Sequence, residues 1–453
     1  MQQQLQKMKQ LPALTLAERT ARLKSLARII RQHQVEIINT VSSDFSHRCA
    51  QESQMAEVMV CLDEIKHTLK NIKQWTREKV WHANWKFFPS KCAISPQPKG
   101  VVGVMAPWNY PFNLVIEPLV AAIAAGNRVM IKPSEVTPKT ATLTQKLLRQ
   151  VFTEDEVFVV LGDAKVANEF SQLPLDHLLF TGSTQVGKII MNNASQHLTP
   201  LTLELGGKSP VLIDDNYPLD KAANSIAKGK WFNAGQTCIA PDYILISKER
   251  KAELVEQLKQ QLTTSYPDFA ENDDYTAVVN AHHMQRLNKY TEGLAATQIV
   301  PLSESSEPAR QKIPPTLILD PAADHPIMQE EIFGPYLPIM TIDTLQDGID
   351  FINQGERPLT LYLFSHRPAV IRQVREQTTS GSLAINETLV HFAQEGLPFG
   401  GIGASGMGSY HGHQGFLAMS HMKSVYYQSR INLNNLVRAP YSQLKKKILN
   451  WMS

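Results

Sequence analysis

The sequence predicts an α/β fold built on parallel sheet, and three observations carry that prediction. Between Gly100 and Leu205, short β-branched runs alternate with helical patterns, the signature of parallel strands joined by crossing helices. The alternation resumes after Gly206, so a second unit of the same class is expected. At 453 residues, the chain has room for two or three domains of about 150 residues each.

The first 80 residues read as helices. Thr15-Leu-Ala-Glu18 is a capping box, in which the hydroxyl accepts from free helix N–H groups and the glutamate bonds back. Leu23, Leu26, Ile30 and Ile37 then recur at helical spacing, and a second amphipathic run passes through Ile65, Leu69 and Ile72. Strands are predicted at Val101–Met105, Arg128–Ile131, Val157–Leu161, His177–Phe180 and Leu201–Leu205, with a helix over Thr140–Val151. A domain boundary is placed at Gly206-Gly207, where paired glycines permit a sharp turn. Beyond it, strands are expected at Pro210–Ile213 and Tyr243–Ile246, and helices at Leu219–Ile226 and Glu249–Leu262. The polar stretch Pro301–Pro308 reads as a surface loop. Leu444–Trp451 is basic with apolar interleaving and reads as a solvated helix, with membrane-surface docking as the alternative.

Composition removes several classes. An apolar share of 43% with 19% charged residues excludes wholesale disorder. A net charge of +3 makes no electrostatic case for nucleic acid as a partner. Cys49, Cys61, Cys92 and Cys238 form no C-x-x-C pair and make a poor disulfide framework, so a reducing compartment is expected. The first residues lack an apolar run of signal-peptide type. The most apolar stretch, Val115–Ile131, is broken by Glu117, Pro118, Asn127 and Arg128, short of the roughly 18 apolar residues a spanning helix needs. These features predict a cytoplasmic protein with no integral membrane segment.

Cys238 lies in Asn233-Ala-Gly-Gln-Thr-Cys-Ile-Ala240, on a predicted turn or helix start. A helix N-terminus there lowers the thiol pKa and favours a nucleophile; an inert buried thiol is equally compatible with the local residues. Glu204 ends an apolar strand before two glycines, as a general base or as an edge residue paired with Lys208. Asn109 follows a strand between prolines, as an oxyanion donor or an ordinary Asx turn. Lys132 and Glu135 also follow a strand, to grip a ribose or to form a surface ion pair. Phe180–Ile189 contains G-x-x-x-x-G-K, but Ile189 stands where a P-loop needs Ser or Thr, which argues against a nucleotide hydrolase. What survives is a strand, a Gly-Ser-Thr turn and a helix start, a generic anion site. Gly401–Gly406 satisfies G-x-G-x-x-G without the following βαβ unit, so it is read as a loop whose glycines admit a close backbone neighbour. His411 and His413 lack partners of metal-ligand type nearby, and no metal site is expected.

Taken together, Pro107-Trp-Asn-Tyr-Pro111, Lys132-Pro-Ser-Glu135, Phe180-Thr-Gly-Ser183, Glu204-Leu-Gly-Gly-Lys208, Gly235-Gln-Thr-Cys238, Glu330-Glu-Ile-Phe-Gly-Pro335 and Leu397-Pro-Phe-Gly-Gly401 resemble the aldehyde dehydrogenase superfamily, in family order. Thr237–Tyr243 and Ser405–Gly412 are similar to its class 3 branch, particularly the coniferyl aldehyde dehydrogenases. Thr360 and Glu387 depart from the alanine and aspartate frequent in relatives, at positions expected to lie outside the catalytic set.

The resemblance implies NAD(P)-dependent oxidation of an aldehyde, aromatic such as coniferyl aldehyde or medium-chain aliphatic, to the acid. A semialdehyde or acylating enzyme is the alternative, and the retained Glu204 argues against acylation. It implies Cys238 as nucleophile, Glu204 as deacylation base, and Asn109 with the Cys238 backbone N–H as oxyanion donors. Trp108, Lys132, Glu135, Gly182, Ser183, Val186, Glu331 and Phe333 become cofactor contacts, with NAD preferred and NADP accepted. It further implies a doubly wound parallel-sheet cofactor domain (1–79 and 99–206), a second α/β catalytic domain (207–405) and a small β bridging domain (80–98 and 415–430), followed by 431–453. A homodimer, or a tetramer, is expected.

Overall fold

The computed structural model describes residues 1–267, 269, 271–303 and 311–452; of the predicted loop at 301–308, residues 304–308 lie outside them. Among the described residues there are three sheets. In the six-stranded sheet, Val101–Met105 lies between Arg128–Lys132 and His177–Gly182, with Val157–Val159 beyond the first and Leu201–Leu205 beyond the second. These five strands are parallel, and the first two are buried along their whole length, as expected where helices cover both faces. Winding reverses between Val101–Met105 and His177–Gly182, and a crevice at such a reversal lies outside the carboxyl ends of the strands.

The seven-stranded sheet runs Ile299–Pro301, Thr316–Leu319, Tyr336–Ile342, Tyr243–Ser247, Pro210–Ile213, Thr360–Phe364, Ser382–Ile385. All its pairings are parallel except the first. The third sheet is antiparallel and small: Lys79–His82, Lys91–Pro98 and Ser420–Tyr427. Both doubly wound sheets and the small one therefore match the predicted fold class.

The capping box forms: Thr15 accepts from the Glu18 N–H and Glu18 returns the bond. Helix Asn113–Ala125 is buried on every face, as a helix apolar all round must be, and its left-handed C-cap falls on Gly126. Some predicted ends shift. Val157–Leu161 shortens to Val157–Val159, and the helix predicted over Thr140–Val151 runs Pro138–Leu148, starting with the proline at its first turn, where no N–H is missed. Leu219–Ile226 extends to Trp231.

The chain leaves the first sheet at Leu205 and enters the second at Pro210. A later segment then returns: Gly406–Met407 pairs antiparallel with Leu203 and Glu204, and the Ser405 carbonyl accepts from Leu205 N–H. The Gly401–Gly406 loop thus brings backbone against backbone, as its glycines suggest. Gly406 has φ +139°, and a Cβ there would overlap the Leu203 carbonyl oxygen. Gly406→Ala is expected to cost at least about 2 kcal/mol, read as a lowered urea midpoint. Gly396→Ala, where no atom lies within 4 Å, should move it by less than about 0.5 kcal/mol. Equal midpoints for both variants would contradict the steric reading.

Candidate active site

The loops at the carboxyl edge of the first sheet carry most of the predicted site residues. Trp108 and Asn109 follow Val101–Met105, Lys132 ends Arg128–Lys132, Gly182 ends His177–Gly182, and Glu204 lies in Leu201–Leu205. From the second unit come the turn holding Cys238, just before Tyr243–Ser247, and the Glu331–Phe333 loop before Tyr336–Ile342.

One part of this arrangement suits a dinucleotide. Ser183 caps helix Thr184–Ser195 and accepts from the Val186 N–H at 3.4 Å, leaving a helix N-terminus with its positive dipole end beside the sheet. Val186 is exposed on the first turn. Lys132 is buried, its Nζ donating to the Pro133 carbonyl at 2.7 Å and to Glu135 at 3.2 Å, while Glu135 faces solvent. Trp108 meets Phe333 edge to face at 5.3 Å and lies 4.6 Å from His283, forming an aromatic wall. Glu331 approaches Gly206 so closely that a Cβ there would overlap its carboxylate, and its Oε1 is shut from solvent without a partner. Burial, with Asp242 nearby, pushes Glu331 up to about 8.

The other part is a cavity of about 450 Å³ that both Cys238 and Glu204 line. Glu204 is 1% exposed, and neither carboxylate oxygen has a protein partner. Lys208 does not pair with it: its amine goes to Asp242 and to the Ile327 and Glu330 carbonyls. Burial, reinforced by Glu331 and Glu117, pushes Glu204 up to about 8.

Cys238 sits in a turn, not at a helix start, so the predicted lowering of its pKa by a helix N-terminus is not found. Burial, then the carboxylates Glu204 and Glu331, push the thiol well above its ordinary value, and the N–H groups of Cys238 and Ile239 offset only part of this. The resting thiol is therefore neutral. Cys49 and Cys61 are buried, and burial raises both.

Asn109 is buried beside this cavity, which its neighbour Tyr110 lines. Its carbonyl accepts from Arg48 at 2.9 Å and from the Asn233 amide at 3.2 Å, and its Oδ1 has no protein partner. A brace that local sequence does not announce holds this loop against the Cys238 turn. Arg48 pairs with Glu57 at 2.9 Å, both fully buried, and Glu57 accepts from the Phe112 and Asn113 N–H groups. Glu52 accepts from Asn233 N–H at 3.0 Å, Tyr110 shares a 2.6 Å bond with Thr237, and Gln236 bridges to Ala277 and Val279. Asn233 and Ala234 both take left-handed φ, 52° and 53°, a strain of the kind that collects at functional turns.

Two further residues come into view only here. Glu387, expected outside the catalytic set, lines the Cys238 cavity. His411, without partners in its local sequence, pairs at 3.1 Å with Glu117 in the interior, since the loop carrying it folds back onto helix Asn113–Ala125.

The aldehyde dehydrogenase family model matches residues 1–425. The chain belongs to the aldehyde dehydrogenase family, and its activity is the NAD(P)-dependent oxidation of an aldehyde. It is 44% identical to a probable coniferyl aldehyde dehydrogenase of Pseudomonas aeruginosa over 97% of this chain and 92% of that protein. It is 39% identical to the dimeric NADP-preferring aldehyde dehydrogenase of the dog, over 94% of each chain. The structure described as the substrate-bound state of Staphylococcus aureus AldH superposes with a TM-score of 0.95 at 38% identity, covering 100% of this chain and 99% of that one.

Proposed function

We propose that this enzyme oxidises a hydrophobic aldehyde through a thioester on Cys238, with Glu204 as the base. One observation carries the reading: an unpartnered buried carboxylate and a half-buried thiol face the same cavity. The proton on Cys238 passes to Glu204 as sulfur bonds the aldehyde carbon, and the carbonyl opens to an alkoxide. The Asn109 amide and the Cys238 backbone N–H hold that alkoxide. The bound dinucleotide supplies the hydride acceptor. With hydride gone, the carbonyl re-forms as a thioester. Glu204, having released its proton to solvent, takes one from water as the water adds; the C–S bond breaks and the acid leaves.

The residues that would hold the dinucleotide are Trp108, Lys132, Glu135, Gly182, Ser183, Val186, Glu331 and Phe333. Cofactor domain 1–79 and 99–206, catalytic domain 207–405 and bridging segments 80–98 and 415–430 complete the proposal, with the outer edges of the small sheet pairing to a second copy.

The cavity wall is apolar, with Met55, Met59, Leu114, Phe232, Ile239 and Phe392, and it carries Asp63 and Glu387. Such a wall suits an aromatic aldehyde like that in the name of the Pseudomonas relative, or a medium-chain aliphatic one.

Cys238→Ala should abolish turnover with folding and dinucleotide binding retained, whereas replacing Cys49, Cys61 or Cys92 should not. Glu204→Gln should release close to one equivalent of NADH per site, more slowly than the parent, and then stall with steady turnover down at least about 100-fold. Undiminished steady turnover in that variant would remove Glu204 from the mechanism.

For the cofactor, a carboxylate at Glu135 accepts from ribose hydroxyls and repels a 2′-phosphate, by about 1–3 kcal/mol in a solvated cleft; Lys132 offsets part of this. NAD is therefore preferred and NADP used. Comparing kcat/KM for both at one ionic strength, Glu135→Gln should improve NADP more than NAD. Equal efficiencies, unchanged by the substitution, would show that Glu135 does not read the ribose.

A further inference from the structure

In the cycle proposed above, Glu204 takes up a proton at the thiol step and another at hydrolysis, and each must leave. Glu204 is buried, and during hydrolysis the acyl group fills the apolar cavity in front of it. A way out behind it would serve both steps. Three buried groups with no part in the chemistry so far lie there: Tyr410, Glu117 and His411, 1%, 3% and 4% exposed.

Backbone geometry brings these groups toward Glu204. Gly406 pairs with Glu204 in the sheet, and Tyr410 follows four residues on. The Tyr410 hydroxyl is shut from solvent with no protein partner. Burial, then Glu204 and Glu117, push it well above its ordinary value. Two neighbouring groups without protein partners, this hydroxyl and the Glu204 carboxylate, make a gap of the kind a bridging water fills. Glu117 lies one turn along helix Asn113–Ala125 from Asn113 and Leu114, which line the aldehyde cavity. His411 fixes its carboxylate at 3.1 Å. The imidazole is itself caged by Phe392, Phe399 and Tyr410, with ring centroids 4.6, 5.4 and 4.6 Å away. Its backbone has φ +82°, a region where a residue other than glycine is strained. Burial works against charge on His411, but Glu117, Glu64 and Glu395 outweigh it and hold the imidazole above its ordinary value. Glu117, His411, Glu64, Glu395 and the exposed Asp63 line a second cavity of about 30 Å³, enough for ordered water.

We propose that Glu204 discharges its proton through the protein interior, by way of the Tyr410 hydroxyl and Glu117, into this small cavity and so to solvent. The proposal rests on the reading of Glu204 as the base. The O–H bond of the Glu204 acid breaks as its proton passes, across a bridging water, to the Tyr410 oxygen. The Tyr410 O–H proton moves at the same time to the Glu117 carboxylate. Tyr410 gains one proton as it loses another, so no buried phenolate forms. Glu117 releases the proton to cavity water, from which Asp63 and Glu395 hand it to solvent. Only protons move, and every group returns to its starting state. His411 is a positioning residue that holds Glu117 between the hydroxyl and the cavity.

The test is stopped-flow NADH release followed into steady turnover, above about pH 8, where Glu204 starts charged. Rates are counted per burst equivalent, so that only folded sites enter. Glu117→Gln and Tyr410→Phe should each keep a burst close to one equivalent and lower steady turnover at least about tenfold. The double variant should lose no more than either alone, because both substitutions block one path. Added formate, which carries protons, should restore Glu117→Ala at least about fivefold, and chloride should not. Steady turnover within about twofold of the parent in either single variant, additive losses in the double, or formate without effect would overturn the route. Glu204→Gln separates the two claims: stalling after its burst keeps Glu204 as the base when the route fails, and undiminished turnover removes the base itself.

Discussion

The site depends on one electrostatic constraint: Glu204 is held inside the protein with no partner for either carboxylate oxygen. An unpaired buried charge is expensive, so the group responds by raising its pKa. Glu331 and Glu117 push the same way, and the result is about 8. The fold maintains this by backbone alone. Glu204 is pinned between Thr181 of the neighbouring strand and the returning Gly406, so its position does not depend on an anchoring side-chain bond. Burial, then the Glu204 and Glu331 carboxylates, raise Cys238, which ties the two groups together: near neutral pH both are mostly protonated.

A second requirement is that two loops from different sheets stay in register. Asn109 belongs to the first sheet's edge, and Cys238 to a turn entering the second. Arg48, Glu57 and Glu52 hold them from one side, by bonds to Asn109, Phe112, Asn113 and Asn233. Glu52 and Glu57 are each pushed up to about 7 by burial. The left-handed run at Asn233 and Ala234 is held by the Asn233 bonds to Glu52, Asn109 and Gln236.

Much of this was legible in the sequence, and the limits have a physical pattern. Strand runs such as Val101–Met105, the capping box at Thr15 and the turn at Cys238 are local, and local periodicity or capping chemistry reports them. Partners distant in the chain leave no such trace. Nothing in Glu204-Leu-Gly-Gly-Lys208 says that Lys208 turns to Asp242, and nothing near Glu57 marks it as the acceptor for a helix start at Phe112. The expected helix-lowered thiol failed for the same reason: its pKa is set first by burial and then by Glu204 and Glu331, all delivered by other elements. The π-helical segment Gln54–Met59, which carries Glu57 and two cavity methionines, has no periodic signature of its own.

The most direct test is infrared difference spectroscopy of the parent protein against Glu204→Gln as a function of pH. The parent-minus-variant difference should show one protonated carboxyl band, that of Glu204, which disappears with a midpoint of about 8. A midpoint near the ordinary glutamate value of about 4.3 would contradict the account, because it would mean that the carboxylate is already charged and stabilised in the resting enzyme.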